Sequence, residues 1–446
     1  MTHKLVFIFS FLLSLHITAQ EQPTRLSLQE AIDYAIQNNT SAKNAALDID
    51  AAVKQKWETT AIGLPQINAT VDYNNWLKQQ VSLLPGELAG QTPGTFVAVP
   101  FGTKQTMNAT ATLSQLLFDG SYLVGLQSAK VFLEISKNAK SKTDLEVRKN
   151  TINAYGNVLL SKESITIYEQ NITVLEKSLR ETTAIFENGL TEEENVEQLQ
   201  ITLKQLNSGY KNAQRLHQIA KQMLNITIGL DIEAQVILTE SLEILAQENI
   251  DLELLNSSDD VQSTIDYKIA ENDRRSKELL LKLEKTKALP SLSAFVNGGY
   301  TANNDEFTFL DNDQKWFGSS MLGVSLNIPI FSSFKRSVIT QRAKINLEKA
   351  ENNLTETEKL LKFQVASSKS NYQFAIEQFQ TSKENLELAE RIERKNQTKF
   401  SEGIASSFDL RQAQQQLYSG QQDYLQAMLD VITQKVALET LLNKTN

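Results

Sequence analysis

Asp409 is the side chain whose type and position most directly suggest a task. It follows Gly403 by six residues in the stretch Phe400-Ser-Glu-Gly403-Ile-Ala-Ser-Ser-Phe-Asp409-Leu. Glycine supplies the left-handed backbone that ends a helix, and polar residues behind it can cap the next one. A carboxylate at that point reads in two ways. It is a first-turn acid stabilised by the helix dipole, or, if symmetry repeats it around a pore, one member of a ring that selects for cations. A weaker copy lies upstream, Phe186-Glu-Asn-Gly189-Leu-Thr-Glu-Glu-Glu-Asn195, with Asn195 in the place of Asp409. Gly403 lies 214 positions after Gly189, nearly half of the 446-residue chain. Gly189-Leu190 and Gly403-Ile404 thus mark the tips of two helical hairpins.

Other chemistry is scarce. The histidines are His3, His16 and His217, and there is no cysteine, which excludes disulfides, thiolate zinc sites and cysteine nucleophiles. The sequence has no nucleophile elbow, phosphate-cradling glycine loop or His-rich metal cluster. Glu192, Glu193 and Glu194 read as a solvated face or as charges at a helix N-terminus. Lys plus Arg number 44 against 53 Asp plus Glu, a net charge of −9 that argues against nucleic acid as a partner. The expectation is a protein without catalysis, cofactor or metal.

The elements that carry the tips begin after an export signal. Met1-Thr-His-Lys4, an apolar run to Leu15 and the small Ala19 mark residues 1–19 as a secretory signal cleaved after Ala19. The apolar run is too short to span a bilayer as a helix, which takes about 20 residues. Ser27 with Glu30 forms a capping box for a first helix. A second helix, about 41–61, is stopped by Leu64-Pro65. Ile67, Ala69, Val71 and Tyr73 then alternate with Asn68, Thr70, Asp72 and Asn74, and a matching strand has Met107, Ala109, Ala111 and Leu113 against Asn108, Thr110, Thr112 and Ser114. Between them lies a long loop with Pro85, Gly86, Gly90, Pro93, Gly94 and Pro100. One apolar and one polar face suits a half-buried sheet, or a barrel with lipid outside and water inside.

Phe118-Asp-Gly120 ends that region and a helix runs from 121 to 186, roughly 100 Å at 1.5 Å per residue. Leu145, Ile152 and Leu159 recur at seven, and Tyr168, Ile172, Leu175 and Leu179 at fours and threes, a coiled-coil pattern. A returning helix reaches about residue 228, followed by an irregular, acidic stretch at 229–260. The second half repeats the plan, with a helix from about 261 to 288 stopped by Leu289-Pro290. Two strands follow, with Leu292, Ala294, Val296 and Tyr300 on one, where Phe295 spoils the alternation, and Trp316, Leu322, Val324, Leu326 and Ile328 on the other. Ile328-Pro-Ile-Phe331-Ser echoes Phe118-Asp-Gly120 at an offset of 213. The next long helix has its seam at Leu361, Val365, Ser368, Tyr372, Ala375, Phe379 and Leu386. The last has Leu410, Ala413, Leu417, Gly420, Tyr424, Ala427 and Val431. Two near-equal offsets indicate duplication. The expected organisation is a signal at 1–19, a first repeat at 20–235 with a β-hairpin about 65–118 and a tip near 189, and a second repeat at 236–446 with a β-hairpin about 290–331 and a tip near 403. Trp76, Trp316 and Phe317 read as core residues or as an interfacial aromatic belt.

Four strands cannot close a membrane barrel, which takes about eight or more, and lipid does not tolerate open edges. Strands that span a membrane must therefore be shared among chains. Two chains would give eight strands and three would give twelve.

These features together resemble the TolC-like outer-membrane efflux channel family. The likeness rests on Leu26-Ser-Leu-Gln-Glu-Ala-Ile32, the two Leu-Pro strand starts, Phe118-Asp-Gly120, Ile328-Pro-Ile-Phe331-Ser and both tip motifs. It implies an α+β membrane protein in which long coiled-coil hairpins accompany four β-strands per chain, the strands joining a shared trimeric, twelve-stranded barrel. It further implies a homotrimer in the outer membrane of a Gram-negative bacterium, in contact with outer-membrane lipid and extending into the periplasm. Its partners would be a periplasmic adaptor and an inner-membrane transporter such as an RND pump or an ABC transporter. Its task would be a passive conduit for efflux or type I secretion. By the same resemblance Asp409 belongs to an acid ring whose second acid falls at Gln412. Asn195 stands where the family has an aspartate, Ala405 where it has that aspartate's arginine partner, and Phe400 where it has a tyrosine. Gly189, Leu190, Gly403 and Ile404 would meet the adaptor. The alternative is a secreted or periplasmic coiled-coil scaffold or adhesin without a pore. A periplasmic adaptor itself would carry one helical hairpin, not two.

Overall fold

The computed structural model describes residues 24–256 and 260–444. The export signal expected at 1–19 lies outside them. In chain order the elements are β1 (Thr24–Leu26), α1 (Leu28–Asn38), α2 (Thr40–Ala61), β2 (Gln66–Asn75), β3 (Val81–Pro85), a 3-10 turn (Gly86–Ala89), β4 (Phe96–Pro100), β5 (Gln105–Phe118), α3 (Gly120–Glu187), α4 (Glu193–Ile228), β6 (Val236–Leu238), α5 (Leu242–Glu248), α6 (Leu252–Leu255), a 3-10 turn (Val261–Ser263), α7 (Ile265–Thr286), β7 (Ser291–Asn304), β8 (Phe317–Asn327), α8 (Lys335–Ser401) and α9 (Ser407–Leu442). Two compact units emerge, each assembled from both halves of the sequence. Among the described residues, one comprises 24–44, 142–256, 260 and 362–444; the other comprises Ala45–Ser141 and Val261–Leu361.

The second of these holds an antiparallel sheet in the order β2-β5-β7-β8. Its register puts the alternating residues of all four strands in common rows. Ala69, Ala111, Gly298 and Ser320 share one row, flanked by the row of Ile67, Leu113, Val296 and Leu322. Asn68, Thr112, Asn297 and Met321 share a row on the opposite face, where Asn297 Nδ2 donates to Thr112 Oγ1 at 3.0 Å. One face is therefore mainly apolar and the other mainly hydroxyl and amide. Phe295 breaks the alternation for a local reason. It lies opposite Gly323, where an added Cβ would come within 2.4 Å of its ring, so the aromatic side chain covers bare glycine backbone. β2 is exposed along its whole length, and β2 and β8 are the edges of an open sheet. Trp76, Trp316 and Phe317 stand exposed just outside or at the start of strands, which fits a belt and not a core.

Punctuation residues set the boundaries. Asp119 is the reason for the Phe118-Asp-Gly120 motif, because its Oδ1 accepts from the N–H groups of Ser121 at 2.6 Å and Tyr122 at 2.9 Å and so starts α3. The capping box at Ser27 and Glu30 forms as its spacing predicts. The helix expected from about 261 begins at Ile265, because Thr264 caps it through the Tyr267 N–H. The 76–104 segment, expected as loop, contains the β3–β4 hairpin, with Pro85 and Pro100 at strand ends where no ladder donor is lost. The irregular stretch after residue 229 contains β6, which pairs in parallel with β1, and the short helices α5 and α6.

In the first unit the helical seams pack as their spacing predicts. Val365, Tyr372, Ala375 and Phe379 of α8 are buried, as are Leu410, Ala413, Ala427 and Val431 of α9. Phe379 stacks on Tyr424 with ring centroids 5.6 Å apart. Leu175, Leu199 and Leu206 form a core between α3 and α4, joined by Tyr168, Ile172, Leu179, Leu203 and Tyr418. Among the described residues no helix is long and apolar enough to cross a membrane.

Candidate gate at the helical tips

Both tips close in the same way. After α3, Gly189 has φ 73°; its N–H donates to Phe186 O at 2.8 Å and the Leu190 N–H to Ile185 O at 3.1 Å. After α8, Gly403 has φ 74°; its N–H donates to Phe400 O at 3.0 Å and the Ile404 N–H to Lys399 O at 2.8 Å. This is the Schellman closure, and it leaves an apolar residue directly after each glycine. Here Leu190 and Ile404 are 78% and 71% exposed, so each tip presents an uncovered aliphatic side chain. A Cβ on either glycine would meet nothing within 4 Å, so a substitution costs backbone strain alone. Gly189→Val and Gly403→Val are each expected to cost about 1–2 kcal/mol, seen as a lower melting temperature, with Asn in their place recovering part of the loss. A melting temperature unmoved by both Val variants would refute the left-handed requirement.

Asp409 is bound into the start of α9. Its carboxylate accepts from the Ser406 Oγ–H at 2.7 Å and from the Ser406 N–H at 3.1 Å, while Ser406 Oγ accepts from the Asp409 N–H at 3.2 Å. That reciprocal pair is a capping box. The Ser406 hydroxyl, then the Ser406 N–H and the charge of Lys399, hold the carboxyl below the usual carboxylate range. A depressed carboxyl contributes stability above its unfolded value and loses it as pH falls through its folded value. The cap is therefore intact throughout the neutral range and Asp409 carries its charge at the exposed tip.

The two tips also touch. Asn195 occupies the position in α4 that Asp409 occupies in α9, the third residue of the helix. Ser407 Oγ donates to Asn195 Oδ1, and Asn195 Nδ2 donates to Thr191 Oγ1 at 2.8 Å. A neutral hydrogen bond thus joins the tips where the resemblance implies an aspartate and, at Ala405, an arginine. Phe400 is half-buried in the last turn of α8 and Gln412 is exposed beyond Asp409 on α9. Arg411 lies over the Phe408 ring, 5.4 Å from its centroid. Sequence reading misses Ser407, whose signal is only that a second hydroxyl follows the cap. It also misses Gln414, which lies one heptad past Ser407 and is fully buried. The run of glutamines around it hides which one faces inward.

An open sheet with one apolar and one polar face, joined in sequence to two helical hairpins with exposed tips, defines a subunit of a β-barrel membrane channel. The chain belongs to the outer membrane efflux protein family, whose pattern it matches over residues 31–230 and 266–444. It is 23% identical over 419 residues to the toluene efflux pump outer membrane protein TtgC of Pseudomonas putida, covering 92% of this chain and 82% of the relative. The antibiotic efflux pump outer membrane protein ArpC of Pseudomonas putida matches to the same extent. Its fold is that of the outer membrane protein VceC of Vibrio cholerae, with a TM-score of 0.72, 14% identity and coverage of 93% of this chain and 95% of that one. The CmeC outer membrane channel of Campylobacter jejuni gives a TM-score of 0.72 at 17% identity, covering 94% and 85%. The chain is an outer-membrane efflux channel protein, and the scaffold or adhesin alternative falls away.

Proposed function

We propose that three copies of this chain form a passive conduit of twelve strands across the outer membrane. The observation that carries this reading is the open sheet: among the described residues β2 and β8 each pair on one side only, and β2 is exposed on both faces. Hydrocarbon offers no hydrogen bonds to free N–H and C=O groups, so the edges must be closed by other copies. The helical hairpins extend into the periplasm, where Gly189, Leu190, Gly403 and Ile404 meet an adaptor that couples to an inner-membrane transporter. Asn195, Phe400, Asp409 and Gln412 form the constriction. The chain supplies neither catalysis nor energy. Relatives named for toluene and antibiotic efflux favour small organic molecules over polypeptides as cargo.

The assembly is tested by membrane fractionation. The protein is expected in the outer membrane, as a trimer on unheated denaturing gels that becomes monomer on heating. A monomer in both samples overturns the reading. The gate is tested with Asp409→Asn, which removes the charge but keeps a side-chain oxygen that can still accept from the Ser406 N–H and hydroxyl. Single-channel recording is expected to show cation preference reduced several-fold, with the melting temperature nearly unchanged. Unchanged selectivity removes Asp409 from the constriction.

A further inference from the structure

The β3–β4 hairpin within residues 76–104 takes no part in the four-stranded sheet. Val81, Leu83 and Pro85 pair with Pro100, Ala98 and Phe96, so six apolar side chains share one face. All six are exposed. The other face carries Leu84, Val97 and Val99 with only Ser82 polar. Residues 79–103 contain a single charged side chain, Glu87. The hairpin packs on itself and on its 3-10 turn, where Gly86 N–H donates to Thr95 O at 2.7 Å. Its five-residue strands are too short to join a membrane barrel, whose strands need about 9–11 residues. An isolated two-stranded hairpin with two apolar faces is marginal in water and has to be covered.

The fold indicates what covers it. The hairpin rises between β2 and β5, and β2 is the open edge that a neighbouring copy must pair. A ring of copies therefore brings identical hairpins to one end of one barrel. Twelve strands about 4.8 Å apart and tilted about 40° enclose a barrel of roughly 12 Å radius. Five extended residues reach about 17 Å, and residues 76–80 add a linker, so hairpins from neighbouring copies can meet over the axis. We propose that the β3–β4 hairpin is a contact surface between copies, the apolar faces of neighbouring hairpins covering one another across the barrel mouth farthest from the start of α3. The inference rests on the shared-barrel reading and adds a second constriction to it.

The chain has no cysteine, so single cysteines report the contact cleanly. Leu83→Cys, Phe96→Cys and Ala98→Cys, made separately in the full chain, are purified in detergent at high dilution and oxidised with copper phenanthroline. At one or more positions most of the chain is expected to shift to twice its mass on a non-reducing gel and to return with reductant. Unheated samples of the same variants report the trimer. Trimers without a disulfide at any of the three positions overturn the hairpin contact and leave the shared barrel standing. Absence of both trimer and disulfide overturns the barrel and the hairpin contact together. Bimane attached at Leu83→Cys and quenched by brominated lipid would place lipid on this face and also overturn the proposal.

Discussion

Ala111→Arg is expected to abolish accumulation of the proposed trimer in the outer membrane, whereas Thr112→Arg, one residue on, is expected to leave it in place. Both sit near the middle of β5 and differ only in the face they occupy. Ala111 shares its row with Ala69, Gly298 and Ser320, next to the row of Ile67, Leu113, Val296 and Leu322, which can only suit hydrocarbon. Thr112 shares its row with Asn68 and Asn297, which suit water. A cation at the lipid-facing midplane of a barrel costs about 2–4 kcal/mol. In a closed ring of three copies that is roughly 6–12 kcal/mol, comparable with the whole stability of an ordinary fold. Thr112→Arg loses the bond from Asn297, about 1 kcal/mol per chain, and places its guanidinium in water. Heat-modifiable trimer in the outer-membrane fraction measures both. Equal accumulation of the two variants would refute the assignment of faces.

The face assignment is the part of this protein most plainly written in the sequence. Strict alternation at 67–74 and 107–114 sets which residues share a face, whatever the strands pair with. Helix ends are legible for a similar reason, since Gly189 and Gly403 permit the left-handed turn that ends a helix while Pro65 and Pro290 block its continuation. What stays hidden depends on contacts distant in sequence. The three-residue strands β1 and β6 are too short to show periodicity and exist only because they pair. The β3–β4 hairpin is masked by Pro85, Pro93 and Pro100, which signal loop although two of them merely end strands. At the tips, the Ser406-to-Asp409 spacing already carries the capping box. Reading Asp409 for its charge alone passes over it. The bond from Ser407 to Asn195 joins residues 212 apart and leaves no local signal.

Another such hidden contact predicts the second large effect, at Tyr155. Its side chain is fully buried on α3, and its hydroxyl donates to the Glu240 carboxylate with Leu26 O also within 3.1 Å. The same carboxylate accepts the Leu28 N–H at 3.1 and 3.0 Å, so Glu240 caps α1 from across the chain while Ser27 caps it locally. One carboxylate thus fixes β1, α1 and α3 to the segment after β6. Burial first, and then Glu240, raise the tyrosine well above its usual pKa, so the hydroxyl keeps its proton. A raised value means that the stabilisation is complete below the unfolded tyrosine value of about 10 and is lost as pH rises through the folded one. Tyr155→Phe, which keeps the ring and removes the donor to a charged acceptor, is expected to cost about 1.5–3 kcal/mol. Tyr155→Ala adds a cavity and is expected to cost about 3–5 kcal/mol. Thermal melts in detergent rank the two, and a double-mutant cycle with Glu240→Gln separates the hydrogen bond from packing. If Tyr155→Phe costs the same in the Glu240→Gln background as in the unaltered chain, the hydroxyl and the carboxylate are not coupled.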